Sequence, residues 1–119
     1  MKHTVEIPWV PPTLNQALRT HFTGRGKTKK VAAGYLLATL GKNHGPMPEK
    51  LKVSIQMYRK QPTDRDGAQG ACKPFFDVLV KFGWAKDDRE ENMVQDVRPV
   101  IVDRKNPPKT VITIEEITN

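Results

Sequence analysis

LKVSIQMYRKQPTDRDGAQGACKPFFDVLVKFG, residues 51–83, holds two hydrophobic periods in succession, and the change between them decides the fold. In its first part Leu51, Val53, Ile55 and Met57 alternate with Lys52, Ser54, Gln56 and Tyr58. A period of two belongs to a half-buried β-strand, whose successive side chains point to opposite faces. From about Ala68 to Phe82 the apolar positions Ala71, Cys72, Phe75, Val78, Leu79 and Phe82 fall three and four apart. That is the stripe of an amphipathic helix, and Gly83 ends it. Pro74 lies inside the stripe. Proline lacks the N–H that a helix ladder needs, so the regular helix either starts near Lys73 or kinks there.

The flanks extend this strand–helix unit. TVEI (4–7) reads as a short strand stopped by Pro8, Pro11 and Pro12. Residues 19–30, RTHFTGRGKTKK, have no periodicity and read as a loop carrying Arg19, Arg25, Lys27, Lys29 and Lys30. VAAGYLLATLGKNHG (31–45) has helical composition, with Gly41 or Gly45 to end it. MVQDVRPVIVDR (93–104) and KTVITIEEIT (109–118) read as two further strands joined by the turn KNPPK. The expected order is strand, helix, strand, helix, strand, strand. It implies an α/β, mixed α+β fold with helices packed on a mixed sheet, in a single domain spanning 1–119.

Composition narrows the function classes. The longest apolar runs are too short to cross a bilayer, so no membrane role is expected. The single cysteine, Cys72, forms no internal disulfide and suits a reducing cytoplasm. Twenty Lys and Arg against thirteen Asp and Glu leave a formal charge of +7, which favours polyanionic partners. His3, His21 and His44 match no zinc spacing.

The acidic residues carry the chemistry. Asp64 and Asp66 stand between the strand and the helix, and Asp87 and Asp88 follow the helix. A helix returning antiparallel to its strand places the second pair at the opposite end, so more chain has to bring Asp88 back. If the acids meet, they suit Mg²⁺, which prefers oxygen ligands and is often held by one or two carboxylates plus substrate phosphate. Lys73, four residues before Asp77 on one helix face, is the candidate for stabilising developing negative charge. Each feature has a plainer reading as well. Asp-x-Asp before a helix is commonly an N-cap and a solvated turn, Lys73–Asp77 a surface ion pair, and Asp87–Asp88 a solvated loop. Cys72, Trp9 and Trp84 read as packing residues.

Three blocks resemble the RusA-type Holliday-junction resolvases, a family common in prophages: IPWVPPTLN (7–15), DRDGAQGACKPFFDVL (64–79) and FGWAKDDREENMV (82–94). Carried over by position, Asp64, Asp66 and Asp88 match the family's metal-binding carboxylates and Lys73 its catalytic lysine, with Asp87 as the alternative third ligand. The resemblance implies a homodimer and a Mg²⁺-dependent endonuclease, with Mn²⁺ able to substitute, that resolves four-way DNA junctions by paired symmetric nicks. It also implies a bacterial or phage-encoded protein acting in the cytoplasm. Residues 19–30 would then hold DNA phosphates. Gly67 departs from the family, which often has Asn there, and the stretch from Asp66 to Lys73 is longer. Two other readings stay open, a branched-DNA-binding dimer without catalysis and an acid-site nuclease acting on other DNA structures.

Overall fold

The alternation of residues 51–59 becomes the strand at the centre of a five-stranded sheet. The computed structural model describes residues 1–13 and 24–117. Its elements are β1 (Lys2–Ile7), α1 (Gly24–Thr39), β2 (Leu51–Arg59), α2 (Arg65–Lys81), β3 (Met93–Val97), β4 (Ile101–Val102) and β5 (Lys109–Glu116). The strands run β1-β5-β2-β3, with β4 also beside β2. β1 pairs antiparallel with β5, and β5 antiparallel with β2, while β3 and β4 both lie parallel to β2. The sheet is therefore mixed, and α2 is the crossover that a parallel pair requires.

One face of the sheet takes both helices. Leu51, Val53, Ile55 and Met57 of β2 and Ile112 and Ile114 of β5 meet Ala32 and Leu36 of α1 in a single core. From α2 that core receives Ala68, Ala71, Cys72, Phe75, Phe76, Val78 and Leu79. The chain is thus one mixed α+β domain. Trp9 fastens the proline-rich segment to it, stacked on Tyr35 at 5.9 Å between centroids and edge-on to Phe75 at 5.9 Å. Arg59 continues the buried row of β2, and its Nη1 donates to the Pro11 carbonyl at 2.8 Å. Trp84 is likewise a packing residue, its indole N–H bound to the Gly41 carbonyl at 2.9 Å.

Three expectations are corrected. The first helix begins at Gly24 rather than after residue 30, so Lys27, Lys29 and Lys30 stand on a helix and not in a loop. Its first turn holds no acid to complement the helix dipole, which is why this stretch does not read as helical. Arg19 lies outside the described residues, as does the side chain of Arg25. Secondly, α2 starts at Arg65 and runs through Pro74. An interior proline costs about 3 kcal/mol and each glycine about 1 kcal/mol. Burying Phe75, Phe76, Val78 and Leu79 returns roughly 1.5–3 kcal/mol apiece, so the stripe outweighs the breakers. Thirdly, residues 93–104 form two strands rather than one. Ile55 pairs with Val97 and Tyr58 with Ile101, so two residues of β2 face three, Arg98, Pro99 and Val100. That one-residue excess is a β-bulge. Gln56 holds it, donating from Nε2 to the Pro99 carbonyl at 2.7 Å.

Candidate functional site

The chain from β2 into α2 places the first acids. Asp64 is the N-cap of α2, and its Oδ1 accepts the Gly67 N–H at 2.7 Å. A Cβ on residue 67 would stand 2.8 Å from that oxygen and 3.1 Å from Thr63 Cγ2, so the cap in this form needs glycine. Glycine at position 67 thus has a local cause. Asp66, one turn position further, is exposed on the helix. Gly70 has open space where its Cβ would stand.

At the other end α2 closes in a Schellman motif. Gly83 adopts φ +82°, its N–H reaching the Val80 carbonyl at 3.1 Å and the Trp84 N–H the Leu79 carbonyl at 3.0 Å. The turn that follows is organised by Asp87. Its Oδ1 accepts the Arg89 N–H at 2.9 Å and the Asn92 side-chain amide at 2.8 Å. Those two hydrogen bonds, the Asn92 one foremost, hold the Asp87 carboxyl below the usual carboxylate range. Asp88 is left exposed, with its carbonyl accepting Gln95 Nε2 at 3.3 Å. A Gln95 contact sets Asp88 beside the middle of β3, back along α2 rather than at its far end.

The consequence is a shared cavity of about 330 Å³ lined by Asp66, Gln69, Gly70, Lys73, Phe76, Asp88 and Gln95. Asp66, Lys73 and Asp88 thus come together, and Asp87 is engaged within its own turn. Asp64 faces an adjoining cavity of about 410 Å³, with Gln69 lining both. Lys73 does not pair with Asp77, whose carboxylate instead meets Lys29 Nζ at 4.0 Å. Among the described residues Lys73 makes no ion pair, which leaves its ammonium to the cavity. Gln69 and Gln95 are cavity residues that sequence reasoning misses, whereas Asp87, the alternative third ligand, serves the site through its turn. No local pattern joins them, since Gln69 stands on α2 and Gln95 on β3.

Among the described residues no three acidic, histidine or cysteine side chains gather into a metal cluster. Asp66 and Asp88 are the two carboxylates that share a cavity, and two hard oxygen donors fit a Mg²⁺ that completes its shell with water and phosphate. Cys72 is no part of this site. It is buried 3.9 Å from Met57 Sδ, and burial pushes its thiol up to about 12. Among the described residues no helix is long and apolar enough to cross a membrane. No family model matches the chain, and no curated protein matches it.

Proposed function

We propose that this protein is a Mg²⁺-dependent endonuclease acting on branched DNA, with the four-way junction as its substrate. The observation that carries the reading is the convergence of Asp66, Lys73 and Asp88, from two separate elements, on one open cavity of a chain with charge +7. The resemblance of three sequence blocks to RusA-type resolvases points the same way.

Asp66 and Asp88 would hold the ion, with Asp64 contributing from the adjoining cavity. When bound, Mg²⁺ supplies a Lewis acid for the phosphate and a more acidic water, and Mn²⁺ can replace it. Lys73 would set its ammonium against the charge that develops on the phosphate oxygens or the leaving oxygen. Asp87 acts indirectly, since its turn carries Asp88 to the cavity. Lys27, Lys29 and Lys30 on the acid-free first turns of α1 would add backbone contacts, as would Arg19 and Arg25. Junction shape and phosphate contacts, rather than base edges, would then select the substrate. Symmetric nicking needs two sites in two-fold relation, which a homodimer supplies. A reducing cytoplasm suits the free cysteine.

The deciding experiment is a time course on an end-labelled synthetic four-way junction in Mg²⁺, Mn²⁺ or Ca²⁺. Paired nicks that require Mg²⁺ or Mn²⁺ are expected, with Asp66→Asn and Asp88→Asn binding the junction but leaving it intact. Cleavage by either variant at the wild-type rate rejects these roles. The engagement of Asp64 Oδ1 in the helix cap favours one second reading, a junction-binding dimer that never cuts. Binding without nicks in any of the three ions would establish it.

A further inference from the structure

The cavity beside the acidic one has the opposite charge balance, and the reading above uses only its Asp64, not its two arginines. Asp66 and Asp88 outnumber Lys73 in the first, whereas Arg65 and Arg98 outnumber Asp64 in the second. The Asp64 carboxylate already has the Gly67 N–H on Oδ1, so the two guanidiniums are the groups with donors to offer. Arg65 is exposed on the first turn of α2 and makes no ion pair among the described residues. Arg98 occupies the bulge, where its Nε donates to Asp96 Oδ2 at 3.0 Å. That bond orients the side chain and leaves the two terminal nitrogens for another acceptor. Asp96 is itself held by Ser54 Oγ at 3.3 Å, and Gln56 anchors the bulge from behind, so Arg98 stands on a supported edge. Gln69 lines both cavities, so the two adjoin along one side of α2 and a strand over one is led toward the other.

We infer that Arg65 and Arg98 form a phosphodiester subsite, holding a backbone phosphate of the same DNA strand next to the one over the acidic cavity. The inference rests on the DNA-endonuclease reading and adds the path the strand takes. A planar guanidinium with parallel N–H donors matches a phosphate better than an ammonium does, which suits this position to arginine. The extra residue of the bulge then has a use, because it puts Arg98 at the cavity rather than in register along the strand.

The test is junction binding by fluorescence anisotropy in Ca²⁺, with affinity measured across a salt series. Arg65→Gln and Arg98→Gln are each expected to lower the slope of log affinity against log salt by about 0.9 for a duplex phosphate, or about 0.7 for a single-stranded one. Lys105→Gln removes a charge from the turn between β4 and β5 that lines neither cavity, and it sets the baseline for charge alone. Arginine variants whose slopes fall no more than that baseline overturn the subsite. Arg65→Gln breaks no ion pair among the described residues, so its result stands even if Arg98→Gln disturbs Asp96. Wild-type protein that binds the junction yet leaves it intact when Mg²⁺ or Mn²⁺ replaces Ca²⁺ sinks the endonuclease reading, while the slopes still decide this one. Wild-type protein that binds no junction at any salt overturns both.

Discussion

Replacing the two glycines of α2 by alanine, one at a time, measures how firmly the Asp64 carboxylate is set. An exposed helical glycine costs about 0.5–1 kcal/mol relative to alanine, so each substitution begins with that gain. At Gly70 a Cβ meets nothing within 4 Å, and Gly70→Ala should keep the full gain. At Gly67 the new carbon falls 2.8 Å from Asp64 Oδ1, so the carboxylate has to leave the N–H it caps. Losing such a cap costs typically about 1 kcal/mol, which cancels the gain. The two variants should therefore differ by roughly 1 kcal/mol, or a few degrees in Tm for a chain of this size. Urea unfolding read by circular dichroism resolves that difference. The cycle closes with Asp64→Ala, in which no carboxylate remains to be displaced. In that background Gly67→Ala should stabilise, short of Gly70→Ala only by what the Thr63 methyl at 3.1 Å takes back, a coupling of up to about 1 kcal/mol. Equal stabilisation by both glycine variants in the wild-type background, or no coupling to Asp64, would refute the reasoning.

Other outcomes follow from the site. Lys73→Met should abolish junction cleavage while changing stability by no more than about 0.5 kcal/mol, since the side chain is exposed and makes no ion pair among the described residues; a melt shifted well beyond this would mark Lys73 as structural. Because Asp87 is held below its ordinary range, its hydrogen bonds stabilise the fold above the unfolded carboxylate pKa of about 4 and lose that effect as pH falls through the lower folded value. Urea midpoints of wild type and Asp87→Asn should keep a constant offset above about pH 5 and converge on acidification; an offset that does not shrink contradicts the assignment. Cys72, buried with its thiol pushed up to about 12, should resist a thiol reagent at neutral pH until the protein is unfolded, and rapid labelling of the native protein would contradict its burial.

What the sequence disclosed and what it hid divide along the range of the interactions. The alternation of Leu51 to Met57, the stripe through Phe75 and Leu79, and the stop at Gly83 are set by neighbours along the chain, so periodicity reveals them. Residues 24–30 do not read as a helix because their cations oppose the helix dipole, and Ala32 and Leu36 hold α1 in the core from further along. The bulge at Arg98–Val100 is a mismatch against β2 and does not exist until the two strands are paired. The same limit applied to the acids. Asp64 read as either cap or ligand, and the cap is now visible in its bond to Gly67. Between Asp87 and Asp88 only a folded turn separates the residue that builds it from the residue it presents.

The bulge also decides how this sheet meets other chains. An open sheet edge is a template for pairing with another molecule, and proteins blunt it with short strands, proline and irregularity. The β3–β4 edge has all three, since β4 is two residues long and Pro99, which has no N–H, interrupts the ladder. The opposite edge, β1, is an unbroken run of six residues, largely exposed. Its Lys2 and Glu6 are drawn toward β5, at 3.7 Å from Glu115 and 2.7 Å from Lys109, so neither charge stands out along the outer rim as a deterrent. Among the described residues, a strand from a second molecule would therefore find the β1 edge the easier one to extend, and the edge blunted against it is the one beside Asp66, Lys73 and Asp88.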